Sequence, residues 1–204
     1  MISIEGFVLA GGRSRRMGRD KSNLLLGGKT LIERSAAALS AIADPIYVVG
    51  DLASETTSLK VIADKPVKGG SNAAIIGLFT ALFHAKTEWA AILACDLPFV
   101  SGELLKRMAT LSTALVSGSN GVAVILPRQR DGRIQPLCGL YQIERCLAVV
   151  EQMLADKKWR LQDLPERVKS HIIPFSGISD LPGAEHFFDN LNTPDDYDAA
   201  IANL

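Results

Sequence analysis

Residues 5–30 read EGFVLAGGRSRRMGRDKSNLLLGGKT, a short apolar run followed by a segment rich in glycine and positive charge. The run from Glu5 to Ala10 predicts a buried strand that ends at the glycine pair Gly11-Gly12. Because glycine lacks a Cβ, backbone N–H groups in such a turn can approach an anion closely. Five arginines and lysines follow within nine residues, at positions 13, 15, 16, 19 and 21. The stretch therefore predicts a phosphate-binding loop after the first strand of a sheet.

Two common phosphate-binding patterns do not match this stretch. The Walker A pattern is met at its end by Gly28-Lys29-Thr30, but Asn23 stands where its first glycine is required. The dinucleotide pattern G-x-G-x-x-G fails because five residues separate Gly11-Gly12 from Gly18. These mismatches disfavour a P-loop kinase and a nicotinamide enzyme. Thr30 and Glu33 instead form a capping-box pattern, which predicts a turn and helix cap around Lys29 and leaves Lys21 as the phosphate-binding lysine.

The rest of the chain alternates between predicted strands and helices. Further strands are predicted at 46–49, 59–63, 89–95, 122–126, 135–141 and 169–174, and helices at 31–43, 73–85, 101–111, 142–155 and from 194 onward. Several strands are continuous apolar runs, which is typical of a parallel sheet covered on both faces. The pattern predicts an α/β fold, a Rossmann-like three-layer α/β/α arrangement with a mostly parallel sheet. We expect residues 1–204 to form a single domain.

The composition argues against a nucleic-acid-binding protein and against a membrane protein. The formal net charge is zero with 22% charged residues, so no dominant basic surface for nucleic acid is expected. No apolar run reaches the roughly 20 residues of a membrane helix, and the N-terminus does not resemble a signal peptide. The three cysteines are an odd number without metal-ligand spacing, and we expect them in the core of a cytoplasmic protein with no membrane contact.

Three motifs resemble those of one enzyme family. Leu9 to Lys21 is similar to L-A-G-G-x-S-x-R-M-G-x-D-K, the signature loop of the molybdenum cofactor guanylyltransferases. Cys95-Asp96-Leu97-Pro98 resembles the family's C-D-x-P, and residues 190–196, Asn-Leu-Asn-Thr-Pro-Asp-Asp, resemble its N-x-N-T-P-[DE]-[DE]. The three motifs occur in the family's order and span nearly the whole chain. The resemblance implies the nucleotide-diphospho-sugar transferase type of fold.

The resemblance also implies an activity and a set of site residues. The expected reaction is Mg²⁺-dependent transfer of GMP from GTP to molybdenum-molybdopterin, with possible transient contact with cofactor-synthesis proteins and apo-molybdoenzymes. The expected catalytic residues are Arg16, Lys21 and Asp96, with Asp96 as the magnesium ligand. The expected nucleotide-binding residues are Leu9, Ala10, Gly11, Gly12, Lys21, Asp51, Asp64 and Asp96. The expected acceptor-binding residues are Asn190, Asn192 and Arg133, which puts the nucleotide in the N-terminal half and the acceptor in the C-terminal half.

The position of Asp96 supports part of this assignment from physical reasoning. It follows the most apolar predicted strand, and open α/β sheets bind ligands at the carboxyl ends of their strands. A carboxylate at that edge can hold Mg²⁺, which binds phosphate oxygens and keeps several waters. Asp64 also ends a predicted strand at the same edge.

The chain departs from the family pattern at two places. Residues 73–77 read Ala-Ala-Ile-Ile-Gly where relatives carry G-P-L-x-G, so only Gly77 is kept. Gly50 stands where an asparagine is frequent, and Asp51 could replace that side chain. Relatives that use CTP carry L-A-A-G at Leu9–Gly12, so the Gly11-Gly12 pair favours GTP by resemblance. The residues leave open a molybdopterin cytidylyltransferase, a sugar-phosphate nucleotidyltransferase and a nucleotide-binding regulatory or chaperone module without turnover.

Overall fold

The computed structural model describes residues 2–11, 24–52, 57–69, 74–115 and 121–203. The strands in these ranges are β1 (Ile4–Leu9), β2 (Leu25–Leu26), β3 (Lys29–Thr30), β4 (Ile46–Val49), β5 (Lys60–Ile62), β6 (Trp89–Ala94), β7 (Val124–Pro127), β8 (Cys138–Gln142) and β9 (Ser170–Ile173). The α-helices are α1 (Leu31–Leu39), α2 (Ala74–His84), α3 (Gly102–Leu115), α4 (Ile143–Ala155) and α5 (Pro194–Ala202). Two short 3₁₀ helices cover Leu161–Glu166 and Phe175–Gly177, in the region between α4 and α5.

Seven strands form one sheet in the order β5-β4-β1-β6-β8-β7-β9. Every neighbouring pair is parallel except the two made by β8, which runs antiparallel to β6 and to β7. The mostly parallel sheet predicted from the sequence is therefore confirmed. Because β8 alone is reversed, the carboxyl ends of the other six strands lie at one edge, together with the start of β8.

The sheet is covered on both faces, which confirms the three-layer prediction. In β1, Val8 packs with the helices α1 and α3, whereas its neighbour Phe7 packs with α2 and α4. This alternation follows from the strand geometry, in which successive side chains point to opposite faces. Both residues have no exposed surface, and burying each such side chain stabilises the fold by about 1.5–3 kcal/mol. β1 thus contributes side chains to both cores.

Three predicted helix starts are confirmed. The Glu33 backbone N–H donates to Thr30 Oγ1 at 3.1 Å and the Thr30 N–H donates to Glu33 Oε2 at 2.7 Å, which completes the capping box of α1. Thr193 caps α5, Pro194 occupies its first turn, and Asp196 closes a second capping box. Ser101 Oγ accepts from the N–H of Leu104 at 3.3 Å at the start of α3.

Some predicted boundaries are wrong. β2 and β3 form a small hairpin that was not predicted, because two-residue strands carry no usable periodicity. α1 ends at Leu39, four residues before the predicted end, and the chain continues in short turns. β8 begins at Cys138 instead of residue 135, because a turn closed by the Cys138 N–H and the Gln135 carbonyl at 3.2 Å precedes it.

The prediction that the three cysteines lie in the core is confirmed. Cys95, Cys138 and Cys146 are all buried. None of the helices in the described ranges has the length and apolar character that a membrane span requires.

Candidate active site

Four of the predicted site segments meet at the carboxyl edge of the sheet. Hydrogen bonds extend the sheet past the strand ends: the Ala10 N–H donates to the Val49 carbonyl at 2.9 Å, and the Cys95 N–H donates to the Leu9 carbonyl at 3.0 Å. On the other side of β4, the Gly50 N–H donates to the Ile62 carbonyl at 3.0 Å. The residues after β1, β4, β5 and β6 are therefore neighbours in space, as the sequence predicted.

The backbone at Gly50 touches the backbone that follows β1. A Cβ at Gly50 would lie 3.0 Å from the carbonyl carbon of Ala10 and 3.0 Å from the nitrogen of Gly11. The φ angle of Gly50 is also +147°, a conformation that side chains with a Cβ rarely adopt. Glycine is thus required here by space and by backbone conformation. Because Gly50 has no side chain, the two strand ends come into direct contact.

The carboxylate of Asp64 lies against two glycines. A Cβ at Gly11 would stand 3.3 Å from Asp64 Oδ2, and one at Gly77 would stand 3.9 Å from Asp64 Oδ1. The same Cβ at Gly77 would be 3.5 Å from Leu9 Cδ1, an ordinary contact distance. Gly11 therefore leaves room for the Asp64 carboxylate, and Gly77 brings the start of α2 against both Asp64 and Leu9.

Thr80 fixes the backbone directly after Asp64. Its buried hydroxyl accepts from the Lys65 N–H at 2.9 Å and donates to the Ile76 carbonyl at 2.8 Å. The single hydroxyl proton is used within α2, and the remaining lone pair holds the chain as it leaves β5. Sequence reasoning did not identify Thr80, because a threonine within an apolar helix carries no motif.

The surroundings of Asp64 disfavour the negative charge of its carboxylate. Its Oδ1 atom is buried, and within the described ranges no group donates a hydrogen bond to it. Burial raises the pKa of the Asp64 carboxyl above its ordinary value, the negative charge of nearby Asp51 raises it further, and the Thr80 hydroxyl offsets part of this rise. Asp51 itself is exposed. A ligand that presents N–H or O–H donors at this strand edge would satisfy the orphaned oxygen.

The structure brings the second and third motifs together. Asp96 lies in the turn after β6, and its backbone carbonyl accepts from the Leu191 N–H at 3.0 Å. Asn190 and Asn192 flank that contact and both are exposed. The Asn190 side-chain amide donates to the Phe188 carbonyl at 3.1 Å, and the Asn192 N–H donates to Asp196 Oδ2 at 2.8 Å. The two motifs therefore form one surface, and the roles of the asparagines stay predictions.

Arg133 lies on the β7–β8 turn, beyond the carboxyl end of β7 and thus at the same edge of the sheet. Its guanidinium pairs with Asp131 within the turn at 2.6 Å, and its N–H donates to Asp131 Oδ1 at 3.0 Å. The Asp131 side chain is the main cause of the raised pKa of Arg133. Arg133 is exposed, so an anion at this edge would compete with Asp131 for the guanidinium.

Gly12, Arg16 and Lys21 lie outside the described residues, and their predicted roles are taken up below as proposals. The described residues on either side of segment 12–23 have defined positions. Gly11 stands beside Asp64, and the β2–β3 hairpin carries the chain into α1.

Arg34 is a second residue that the sequence did not single out. Its Nε donates to the Pro98 carbonyl and its Nη1 donates to the Leu26 carbonyl, each at 3.2 Å. Its guanidinium carbon lies 5.9 Å from the centre of the Phe99 ring. Burial lowers the pKa of Arg34, although arginine stays protonated in proteins.

The donor set suits a hard cation that keeps most of its waters. Within the described ranges, no three histidine, cysteine, aspartate or glutamate side chains lie together as a metal cluster. Magnesium is usually held by one or two carboxylates plus substrate phosphates, so a half-buried Asp96 at a strand end fits it. A closed zinc-type site would need more protein ligands.

An open, mostly parallel sheet with Gly11 and strand-end carboxylates at its carboxyl edge is typical of a nucleotide-binding α/β protein. The family model for the MobA-like NTP transferase domain matches residues 6–169, and the chain belongs to that family. This membership confirms the family resemblance of the sequence motifs and makes the chain a nucleotidyltransferase.

The curated relatives match almost their whole length. The chain is 30% identical over 198 residues to a probable molybdenum cofactor guanylyltransferase of Pelotomaculum thermopropionicum, with 96% of this chain and 91% of the relative covered. It is 33% identical over 196 residues to one of Carboxydothermus hydrogenoformans, with 95% and 93% covered.

Solved structures show the same fold. The molybdopterin-guanine dinucleotide biosynthesis protein A of Archaeoglobus fulgidus has a TM-score of 0.79 at 24% identity, with 98% of this chain and 97% of that chain covered. A 2-C-methyl-D-erythritol 4-phosphate cytidylyltransferase of Thermus thermophilus has a TM-score of 0.66 at 14% identity, with 97% and 96% covered. The predicted nucleotide-diphospho-sugar transferase type of fold is confirmed.

Proposed function

We propose that this chain transfers GMP from GTP to the terminal phosphate of molybdenum-molybdopterin and releases pyrophosphate. The observation that carries the proposal is the direct contact between the Asp96 turn and the Asn190–Asn192 motif, at the sheet edge where β1 ends. Relatives named molybdenum cofactor guanylyltransferase match over nearly the whole chain, which supports GTP and molybdopterin as the substrates.

The reaction makes one bond and breaks one. An oxygen of the acceptor phosphate attacks the α-phosphorus of GTP, and the bond from that phosphorus to the oxygen bridging to the β-phosphate breaks. The acceptor phosphate is ionised at neutral pH, so no side chain has to remove a proton. The protein's task is to align two polyanions and to neutralise their charge. This accounts for a site rich in cations and backbone N–H groups.

Each residue has a distinct task in this proposal. Backbone amides of Gly11 and Gly12 and the ammonium group of Lys21 bind the triphosphate, and Arg16 neutralises charge that develops on the pyrophosphate. Asp96 would hold Mg²⁺, which would supply charge neutralisation at the phosphate oxygens. The backbone of Leu9 and Ala10, with Asp51 and Asp64, borders the nucleoside.

The acceptor would occupy the C-terminal half of a single domain that uses both halves of the chain. Asn190 and Asn192 present exposed amides beside the Asp96 turn, and Arg133 lies at the same edge of the sheet. An acceptor phosphate would draw Arg133 from its ion pair with Asp131. The odd number of cysteines, all buried, fits a reducing compartment, and we expect the protein to act in the cytoplasm on products of other cofactor-synthesis proteins.

Substitution of Asp96 tests the proposal. Asp96→Ala should abolish pyrophosphate release from GTP in the presence of Mg²⁺ and molybdenum-molybdopterin, while thermal unfolding confirms that the variant is folded. Asp131→Ala is the matched control, because it removes an aspartate from the same edge and frees Arg133 without touching the proposed metal ligand. Near-normal turnover by Asp96→Ala would refute the assignment of the metal ligand.

A further inference from the structure

Arg34 is half-buried, and within the described ranges its hydrogen bonds go to two backbone carbonyls that lie far apart in sequence. One carbonyl belongs to Leu26, in the hairpin that follows segment 12–23. The other belongs to Pro98, two residues after Asp96. An arginine normally reaches such a position to pair with a carboxylate, and none lies within ion-pair distance of Arg34 in the part of the chain described. The side chain therefore serves as a link between two pieces of backbone.

The link belongs to a closed ring of contacts around the proposed site. The Leu191 N–H donates to the Asp96 carbonyl at 3.0 Å, which joins the Asp96 turn to the segment before α5. From α5, the Tyr197 hydroxyl donates to the Leu25 carbonyl and so reaches the β2–β3 hairpin. Arg34 completes the ring from Leu26 back to Pro98.

The hairpin is held from three directions. The Leu24 carbonyl accepts from the Leu31 N–H at 3.1 Å, the Leu25 carbonyl accepts from Tyr197, and the Leu26 carbonyl accepts from Arg34. Among these donors, Arg34 alone also binds the turn that carries Asp96. A shift of the hairpin relative to Asp96 would therefore have to break one of its two hydrogen bonds.

We propose that Arg34 is a positioning residue that holds the β2–β3 hairpin relative to Asp96, so that groups on the segment leading into the hairpin and Asp96 act on the same triphosphate. The expected effect of Arg34 on catalysis rests on the proposed function. The guanidinium is suited to this task because its planar fork donates in fixed, divergent directions, whereas a lysine ammonium is a single point on a flexible stem. Arg34→Lys therefore keeps the charge and loses the link.

The test compares Arg34→Gln and Arg34→Lys with Arg107→Gln as the matched control. Arg107 is also a half-buried helical arginine that donates to a backbone carbonyl, but it joins α3 to Gly177 at 2.8 Å and pairs with Asp180. Rates of pyrophosphate release are measured against GTP and against Mg²⁺ concentration, with molybdenum-molybdopterin present. Thermal unfolding gives the folded fraction of each variant.

We expect both Arg34 variants to lose roughly 10- to 100-fold in kcat/KM for GTP, the scale of a small misplacement of aligned groups. They should also need a higher Mg²⁺ concentration for the half-maximal rate, because Asp96 is no longer aligned with the groups that bind the triphosphate. Arg107→Gln should change thermal stability and leave the Mg²⁺ dependence unchanged. Equal Mg²⁺ dependence in Arg34→Gln and the unsubstituted protein would overturn the proposal.

Hydrogen exchange separates this inference from the proposed function, since it needs no substrate. Arg34→Gln should speed amide exchange both in residues 24–30 and in residues 95–100, whereas Arg107→Gln should not. If the unsubstituted protein fails to release pyrophosphate but this paired change is seen, the proposed reaction fails and the link stands. If neither segment changes, the link itself is refuted.

Discussion

Asp64→Asn should make the free protein more stable at neutral pH. The carboxylate of Asp64 has a buried oxygen without a hydrogen-bond donor in the described ranges, and a buried polar atom left in this way costs about 1–3 kcal/mol. A neutral amide is less costly to bury than a carboxylate. We expect a gain of about 1 kcal/mol in the free energy of unfolding, which for a chain of this size raises Tm by about 2–4 °C.

The gain in the free energy of unfolding should increase with pH. The pKa of Asp64 is raised in the folded protein above its ordinary value of 3.8, first by burial and then by Asp51. A raised pKa means that the folded state favours the protonated form, whose stabilising contribution is present below the unfolded pKa and is lost as pH rises through the folded pKa. The advantage of Asp64→Asn should therefore be largest above the folded pKa and shrink as the pH falls toward the unfolded value of 3.8.

Urea unfolding between pH 4 and pH 8 measures this difference directly. Asp51→Asn is the matched control, because it removes the neighbouring charge from an exposed position and should stabilise less. With GTP and Mg²⁺ added, we expect ligand-induced stabilisation to be smaller for Asp64→Asn than for the unsubstituted protein. A variant that is less stable at pH 7, or a difference that does not change with pH, would refute the reasoning.

Three further outcomes follow from the same geometry. Gly50→Ala should cost about 1–3 kcal/mol in urea unfolding, because its Cβ would lie 3.0 Å from the backbone after β1; an unchanged midpoint would contradict this. Burial raises the thiol pKa of Cys138 and of Cys146 to about 12, so both should resist iodoacetamide at pH 8 until the protein is unfolded; rapid labelling of the folded protein would count against it. Lys21→Ala should lose pyrophosphate release while Lys29→Ala retains it, and the reverse result would reassign the phosphate-binding lysine.

The fold could be predicted from the sequence because its strands are long apolar runs. β1 and β6 are buried at every position, so their burial on both faces is visible in the residue types. Helix caps such as Thr30–Glu33 can be recognised from residues that are close in sequence. The β2–β3 hairpin could not be predicted in the same way, because its strands have only two residues each. The reversed direction of β8 depends on its pairing with distant strands, which the sequence of β8 alone does not indicate.

The candidate site was predictable only where a motif or a strand end marks it. Asp64 and Asp96 stand at strand ends, and the parallel topology brings them to one edge of the sheet. Arg34 and Thr80 act through contacts with distant carbonyls and amides, which depend on tertiary packing. The orphaned oxygen of Asp64 is likewise a property of its surroundings, and the residue type alone does not reveal it.

The central claim is best tested by incubating the full chain with Mg²⁺ and GTP labelled at its α-phosphate, with and without molybdenum-molybdopterin. The proposed function predicts pyrophosphate release only when the pterin acceptor is present, with the label recovered in a molybdopterin guanine dinucleotide and little reaction when CTP replaces GTP. Release that does not require the pterin, or a faster reaction with CTP, would contradict it.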